Sequence, residues 1–170
     1  MPLAAPLTNP KSDRVATIRR LSARAGRDRA GEHLVEGPQA TREAVRFAAE
    51  QVRDVYVLAV LTTQVLGAEA LAATLADARL VAVCEEVRDP GNAGTIIRAA
   101  DAAGADVVIL TQGSVELRSP KVVRSSAGSI FHVPVVTGVS LEEVVAAVRA
   151  AGLTILAADG AGDSDVETSP

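Results

Sequence analysis

The sequence has one cysteine, no tryptophan and only three other aromatic residues, Phe47, Tyr56 and Phe131. A lone Cys84 excludes an internal disulfide and a cysteine-clustered zinc site, and its place within an apolar run makes it a small core residue. So few rings argue against a nucleic-acid surface built from successive aromatic platforms. Residues 55–68 carry no charge but include Thr62, Thr63 and Gln64, which leaves them too short and too polar to cross a bilayer. The first residues show no basic stretch followed by an apolar run, so no secretory signal is expected and the default location is the cytoplasm. His33 and His132 stand far apart, and Glu85, Glu86 and Asp89 flank a turn as solvated acids, so no metal is expected.

What is present fits one ordinary domain, or a domain with a small appendage: 170 residues, 48% apolar and 22% charged. The charge is uneven. Lys11, Arg14, Arg19, Arg20, Arg24, Arg27 and Arg29 face only Asp13 and Asp28 within the first 30 residues, an excess of five in a chain whose net charge is −4. A basic head on an acidic body points to a polyanion contacting the head.

Along the chain, Asn9 or Ser12 is placed to cap a helix running to about Arg24, with Val15, Ile18 and Leu21 forming a narrow apolar stripe. Leu34 and Val35 predict a short strand, residues 39–50 a helix and residues 52–58 another strand; residues 59–78 are apolar and Ala-rich, with helical character towards their end. From residue 79 the pattern is regular: strands over 79–84, 106–110 and 153–158, helices over 93–103 and 140–151, a short helix at 120–126 and an extended segment at 132–136. Continuous β-branched runs alternating with helices predict an α/β fold with a parallel sheet covered on both faces.

Parallel sheets place ligands beyond the carboxyl ends of their strands. After the 79–84 strand comes a loop in which Pro90 and Gly91 turn the chain, Asn92 is placed to cap the next helix and Gly94 permits close approach of another chain. Unpaired amides at such a helix end suit a phosphate, and Arg98 follows within the helix.

The block DPGNAGTIIRAADAAG, residues 89–104, closely resembles the first signature of the SpoU/TrmH family, with Asn92, Gly94 and Arg98 at the matching places. KVVRSSAGSIFHVPV, residues 121–135, resembles the family's next block. Asn9-Pro10-Lys11, Arg27-Asp28-Arg29 and Val35-Glu36-Gly37 resemble the small RNA-binding domain that many bacterial members carry first. The resemblance implies a small α/β RNA-binding domain over residues 1–78 and a SpoU-type methyltransferase domain over 79–170. It also implies an S-adenosylmethionine-dependent RNA ribose 2′-O-methyltransferase acting on RNA, most naturally ribosomal RNA.

By the same resemblance Arg98 and Asn92 are the catalytic candidates, while Gly91, Gly94, Arg14, Arg19, Arg20, Arg27 and Arg29 are the RNA- and phosphate-binding candidates. A guanidinium stays protonated at any working pH, so Arg98 is expected to bind the adjoining phosphate and stabilise the forming alkoxide, leaving proton removal to another group. The family's Gly-Asn-Glu and Ser-Leu-Asn blocks, which build the cofactor pocket and the knot, have no counterpart here; Ser140-Leu141-Glu142 fails at its third place. The chain therefore reads as a member truncated before them and inactive alone, with Ala158, Asp159 and Gly160 as the remaining cofactor-binding candidates. The homodimer expected of full-length members rests partly on the missing region. The alternative reading is a non-catalytic RNA-binding protein on a degenerate methyltransferase scaffold.

Overall fold

The computed structural model describes residues 9, 11–55, 58–62 and 65–158. Ser12 caps α1 (Asp13–Arg20), its hydroxyl accepting from the Val15 amide. The helix predicted to reach Arg24 stops at Arg20, and the chain turns through extended Ala23 into α2 (Arg24–Ala30). Gly26 makes this corner possible: a Cβ there would meet the Arg20 carbonyl oxygen at 1.9 Å.

Next come β1 (Glu32–Glu36), α3 (Pro38–Phe47), β2 (Val52–Val55) and β3 (Leu58–Thr62), with the strands forming an antiparallel sheet ordered β1-β3-β2. The single strand predicted over 52–58 is thus split between two strands, and the central one, β3, comes from a stretch with no legible periodicity. Val35, Leu61, Ala40 and Ala44 make the core between this sheet and α3.

The second sheet is parallel, ordered β4-β5-β6, from β4 (Val81–Cys84), β5 (Val107–Thr111) and β6 (Val135–Val139). All five residues of β5 are buried, as expected for a strand covered on both faces. Alternation sends Val107 and Ile109 to one core and Val108 and Leu110 to the other. α4 (Leu71–Leu75) and α7 (Leu141–Ala150) cover the first face through Leu71, Leu75, Val144 and Val148. α5 (Pro90–Ala102) and α6 (Pro120–Ser125) cover the second through Ala93, Ile97 and Val122. Leu66, Leu71 and Leu75, which the sequence groups with the first 78 residues, pack on the parallel sheet.

The strand predicted over 153–158 does not form: the segment is irregular, with Ile155 and Leu156 exposed, because no described strand pairs with it. Asp159 and Gly160 lie outside the described residues. No helix among the described residues is long and apolar enough to cross a membrane.

α6 joins the two halves. Val122 is buried in the parallel-sheet core, whereas its neighbour Val123 is buried with Val35, Ala40, Ala44 and Leu61 of the head. Gly128 (φ 105°) then brings the chain against α3, where a Cβ would sit 2.7 Å from the Glu43 side chain.

Candidate functional site

α5 begins three residues earlier than its sequence suggests. Asp89 is the cap and Pro90 the first helical residue, where a missing amide hydrogen costs nothing. The Asp89 carboxylate accepts from the Asn92 amide at 2.9 Å, and that bond, with help from Lys121 and the Gly91 amide, holds the carboxyl below the usual range. Lys121 Nζ lies 3.4 Å from the same carboxylate. The corner predicted to offer free amides to a phosphate therefore already holds an anion of its own.

Gly91 and Gly94 leave the phosphate-binding set for this reason and for one of packing. A Cβ on Gly94 would stand 2.0 Å from Ser125 Oγ and 2.7 Å from the Ser126 nitrogen and the Val122 oxygen. The chain that approaches Gly94 closely is α6. Ser125 reinforces the contact, its hydroxyl lying 3.1 Å from the Pro90 carbonyl oxygen and 2.8 Å from that of Lys121.

Asn92 caps nothing, and its side chain is exposed on the outer face of α5. Arg98 is exposed as well and has no ion-pair or hydrogen-bond partner among the described residues. Eight residues separate it from Pro90, about 12 Å along the axis, so its charge acts on the flank of the helix and not at its amino end.

The basic head divides. Arg14, Arg19, Arg20 and Arg29 are exposed without ion-pair partners among the described residues, although Arg14 shares a 230 Å³ hollow with the acids Asp13, Glu32 and Asp54. Arg27 is a correction: its side chain is only 4% exposed and forks onto Glu116, Nη2 to Oε2 at 2.6 Å and Nε to Oε1 at 3.0 Å. Its Nη1 donates to the Leu21 and Ser22 carbonyls, closing the end of α1. Four of its five N–H groups are matched and the side chain is buried, which makes Arg27 a structural clamp and removes it from the surface open to RNA. Arg118 pairs with Asp28 at 2.6 Å and lies 3.5 Å from Glu116; Arg124 pairs with Glu36 at 2.9 Å. These pairs stitch the head to the body.

A second stitch joins α3 to α5. His132 Nδ1 lies 2.9 Å from an Asp101 carboxylate oxygen and Nε2 lies 3.2 Å from one of Glu43. Phe47 meets the His132 ring edge-on at 4.5 Å. The outer face of α3 also presents Arg42 and Arg46, cations beyond the basic head that sequence reasoning missed; their i, i+4 spacing was the available signal.

Of the cofactor candidates only Ala158 is described, and it is exposed. At the carboxyl ends of the parallel strands the loops satisfy one another. The Glu86 amide donates to Thr111 Oγ1, the Val87 amide to Ser114 Oγ, the Val115 amide to the Val87 carbonyl and the Gln112 side chain to the Gly138 carbonyl. These bonds tie the three strand-end loops to one another. Among the described residues no cluster of three or more metal-ligating side chains occurs.

Comparison with known proteins places this geometry. The SpoU rRNA Methylase family profile matches residues 79–169. A mitochondrial rRNA methyltransferase 3 from Mus musculus is 49% identical over 65 residues, 38% of this chain and 16% of that protein. The 23S rRNA (guanosine(2553)-2′-O)-methyltransferase RlmP of Bacillus subtilis is 53% identical over 62 residues, 36% of this chain and 25% of its own length. The matches thus span a quarter or less of these two relatives. An rRNA methyltransferase structure from Sinorhizobium meliloti superposes with a TM-score of 0.76 at 26% identity, covering 95% of this chain and 75% of that one. AviRb, a SpoU methyltransferase from Streptomyces viridochromogenes solved with AdoMet, gives 0.66 at 29% identity over 83% of this chain and 69% of its own. A sheet of this topology carrying α5 and α6 so arranged, together with a family match over more than half the chain, makes this protein a member of the SpoU rRNA methylase family.

Proposed function

We propose that the chain carries the RNA-binding head and the substrate-facing surface of an AdoMet-dependent rRNA ribose 2′-O-methyltransferase, and that these 170 residues bind RNA without binding AdoMet. The observation that carries this is Arg98, a fully charged group on the outer flank of α5 with no protein partner among the described residues. A fixed cation there suits the phosphate beside a reacting ribose and the negative charge that grows on its 2′-oxygen. Proton removal falls to another group, and Asn92, six residues earlier and also exposed, serves as a positioning hydrogen-bonder to RNA. Arg14, Arg19, Arg20 and Arg29 extend the phosphate track across the head.

AdoMet enters through the family and through relatives solved with it. Donors of the strand-end loops at Glu86, Val87 and Gln112 bond to neighbouring loops, and no step is assigned to that group here. The same fact favours a second reading, an RNA binder without catalysis. We place the boundary between head and body near residue 65, since Leu66, Leu71 and Leu75 belong to the parallel-sheet core.

Calorimetric titration tests both readings. RNA is expected to bind with an affinity that falls steeply as salt rises, and AdoMet to give no heat with the 170-residue chain. Salt-independent RNA binding removes the proposal. AdoMet binding removes the second reading and shows that a cofactor site survives.

A further inference from the structure

Between head and body lies a cleft of about 290 Å³ lined by Phe47, Phe131, His33, His132, Arg118 and Ile130, among others. Both phenylalanines and both histidines of the chain converge on it. Its volume is at the small end for ligand sites, enough for one planar group.

At its mouth Phe47 is 51% exposed, and Val45 of the same helix is exposed beside it, while Ala40 and Ala44 face the core. The Arg46 guanidinium lies over its ring at 5.3 Å from the centroid. His132 meets the ring at 61°, held in that pose by Asp101 on one side and Glu43 on the other. Asp101 is one helical turn beyond Arg98, so the ring and the free guanidinium lie at neighbouring places on one surface. Glu43 and Asp101 are engaged with His132; Arg46, Arg42 and Arg98 are the exposed cations nearby, and Glu50, bonded to the lining Gln51, is an exposed acid beside the cleft.

We propose that Phe47, flanked by Arg46 and His132, is a stacking site for a single unpaired RNA base whose neighbouring phosphate reaches Arg98. This rests on the RNA-binding reading above and adds to it a contact with a base. A flat π-face beside a guanidinium is what an unstacked base seeks, and each such contact contributes enough to be measured individually. The cleft walls restrict the occupant to one base, in keeping with a chain that has few rings to offer.

The test compares two probes of equal backbone charge, an oligoriboadenylate of about twelve nucleotides and an abasic ribose-phosphate oligomer of the same length. The intact chain is expected to bind the adenylate at least about fivefold more tightly. Phe47→Leu, which keeps apolar bulk and removes the ring, should erase that preference while leaving abasic binding and the thermal transition unchanged; Phe47→Tyr should keep it. Equal affinity for the two oligomers in the intact chain, or a preference that survives Phe47→Leu, overturns the stacking site but not the RNA reading. Failure to bind either oligomer, or binding indifferent to salt, overturns the RNA reading and this site with it.

Discussion

Two regions of the molecule, the join between head and body and the outer flank of α5, use arginine in opposite ways. At the join between head and body Arg27, Arg118 and Arg124 are all committed to carboxylates, and Arg27 is nearly buried. On the outer flank of α5, Arg98 faces solvent with no such commitment. The residue type is the same and the charge is the same; what differs is whether the fold has already supplied the counter-charge. A guanidinium matched to a carboxylate across the join holds structure together, and one with no such match is available to a ligand. The contrast also reassigns the α5 corner, whose amides are matched by Asp89 before any phosphate arrives.

The sharpest attack on this contrast is at the join. Glu116→Ala leaves Arg27 buried and charged without a carboxylate, which is expected to cost about 3–5 kcal/mol. In a domain of this size that lowers the melting temperature by roughly 10 °C. If calorimetry shows a change below a degree or two, Arg27 is not the clamp described.

Acid should attack the same join. Burial, and then the nearby Arg118 and Arg27 charges, push His33 from 6.5 down to about 4. The folded protein refuses a proton that the unfolded chain accepts. Stability is therefore full above pH 6.5, falls as pH drops below it and levels off below about 4, a loss of about 3 kcal/mol in all. Denaturant unfolding between pH 7 and 4 measures this, and His33→Gln should flatten that part of the profile.

Gly94→Ala probes the seat of α5 on α6. Its Cβ would meet backbone atoms as well as Ser125, so a loss of about 1–3 kcal/mol is expected without direct loss of an RNA group. A neutral result would return Gly94 to the list of ligand-binding candidates. The smallest effect is at the free end of the comparison: Arg98→Ala should leave the melting temperature alone. It should reduce the salt slope of RNA binding by about one and weaken affinity roughly five- to tenfold at low salt. An unchanged slope would mean that Arg98 touches no phosphate.

Much of the body was legible because parallel strands buried on both faces must be continuously apolar, as in residues 107–111, and because Ser140 and Glu143 spell out the capping box that starts α7. The start of α5 was misread although Asp89-Pro90 carries the signal, a capping acid followed by proline at the first position. β3 was illegible for a different reason: a central strand in a small sheet reads as Ala, Val and Leu without alternation, and only its two neighbours define it. Residues 153–158 have the composition of a strand but no described partner to pair with. Arg14 and Arg27 look alike in sequence; Glu116, 89 residues away, is what separates their roles. Arg98 was found through its place in a family signature, Phe47 only through its exposure.

Adjacent valines on one short helix belong to different cores, Val122 to the body and Val123 to the head. Neither sheet can therefore melt without tearing a wall from the other. Heat or denaturant should take both through one cooperative step, and a head excised at the boundary should emerge with an uncapped hydrophobic hole where Val123 had been.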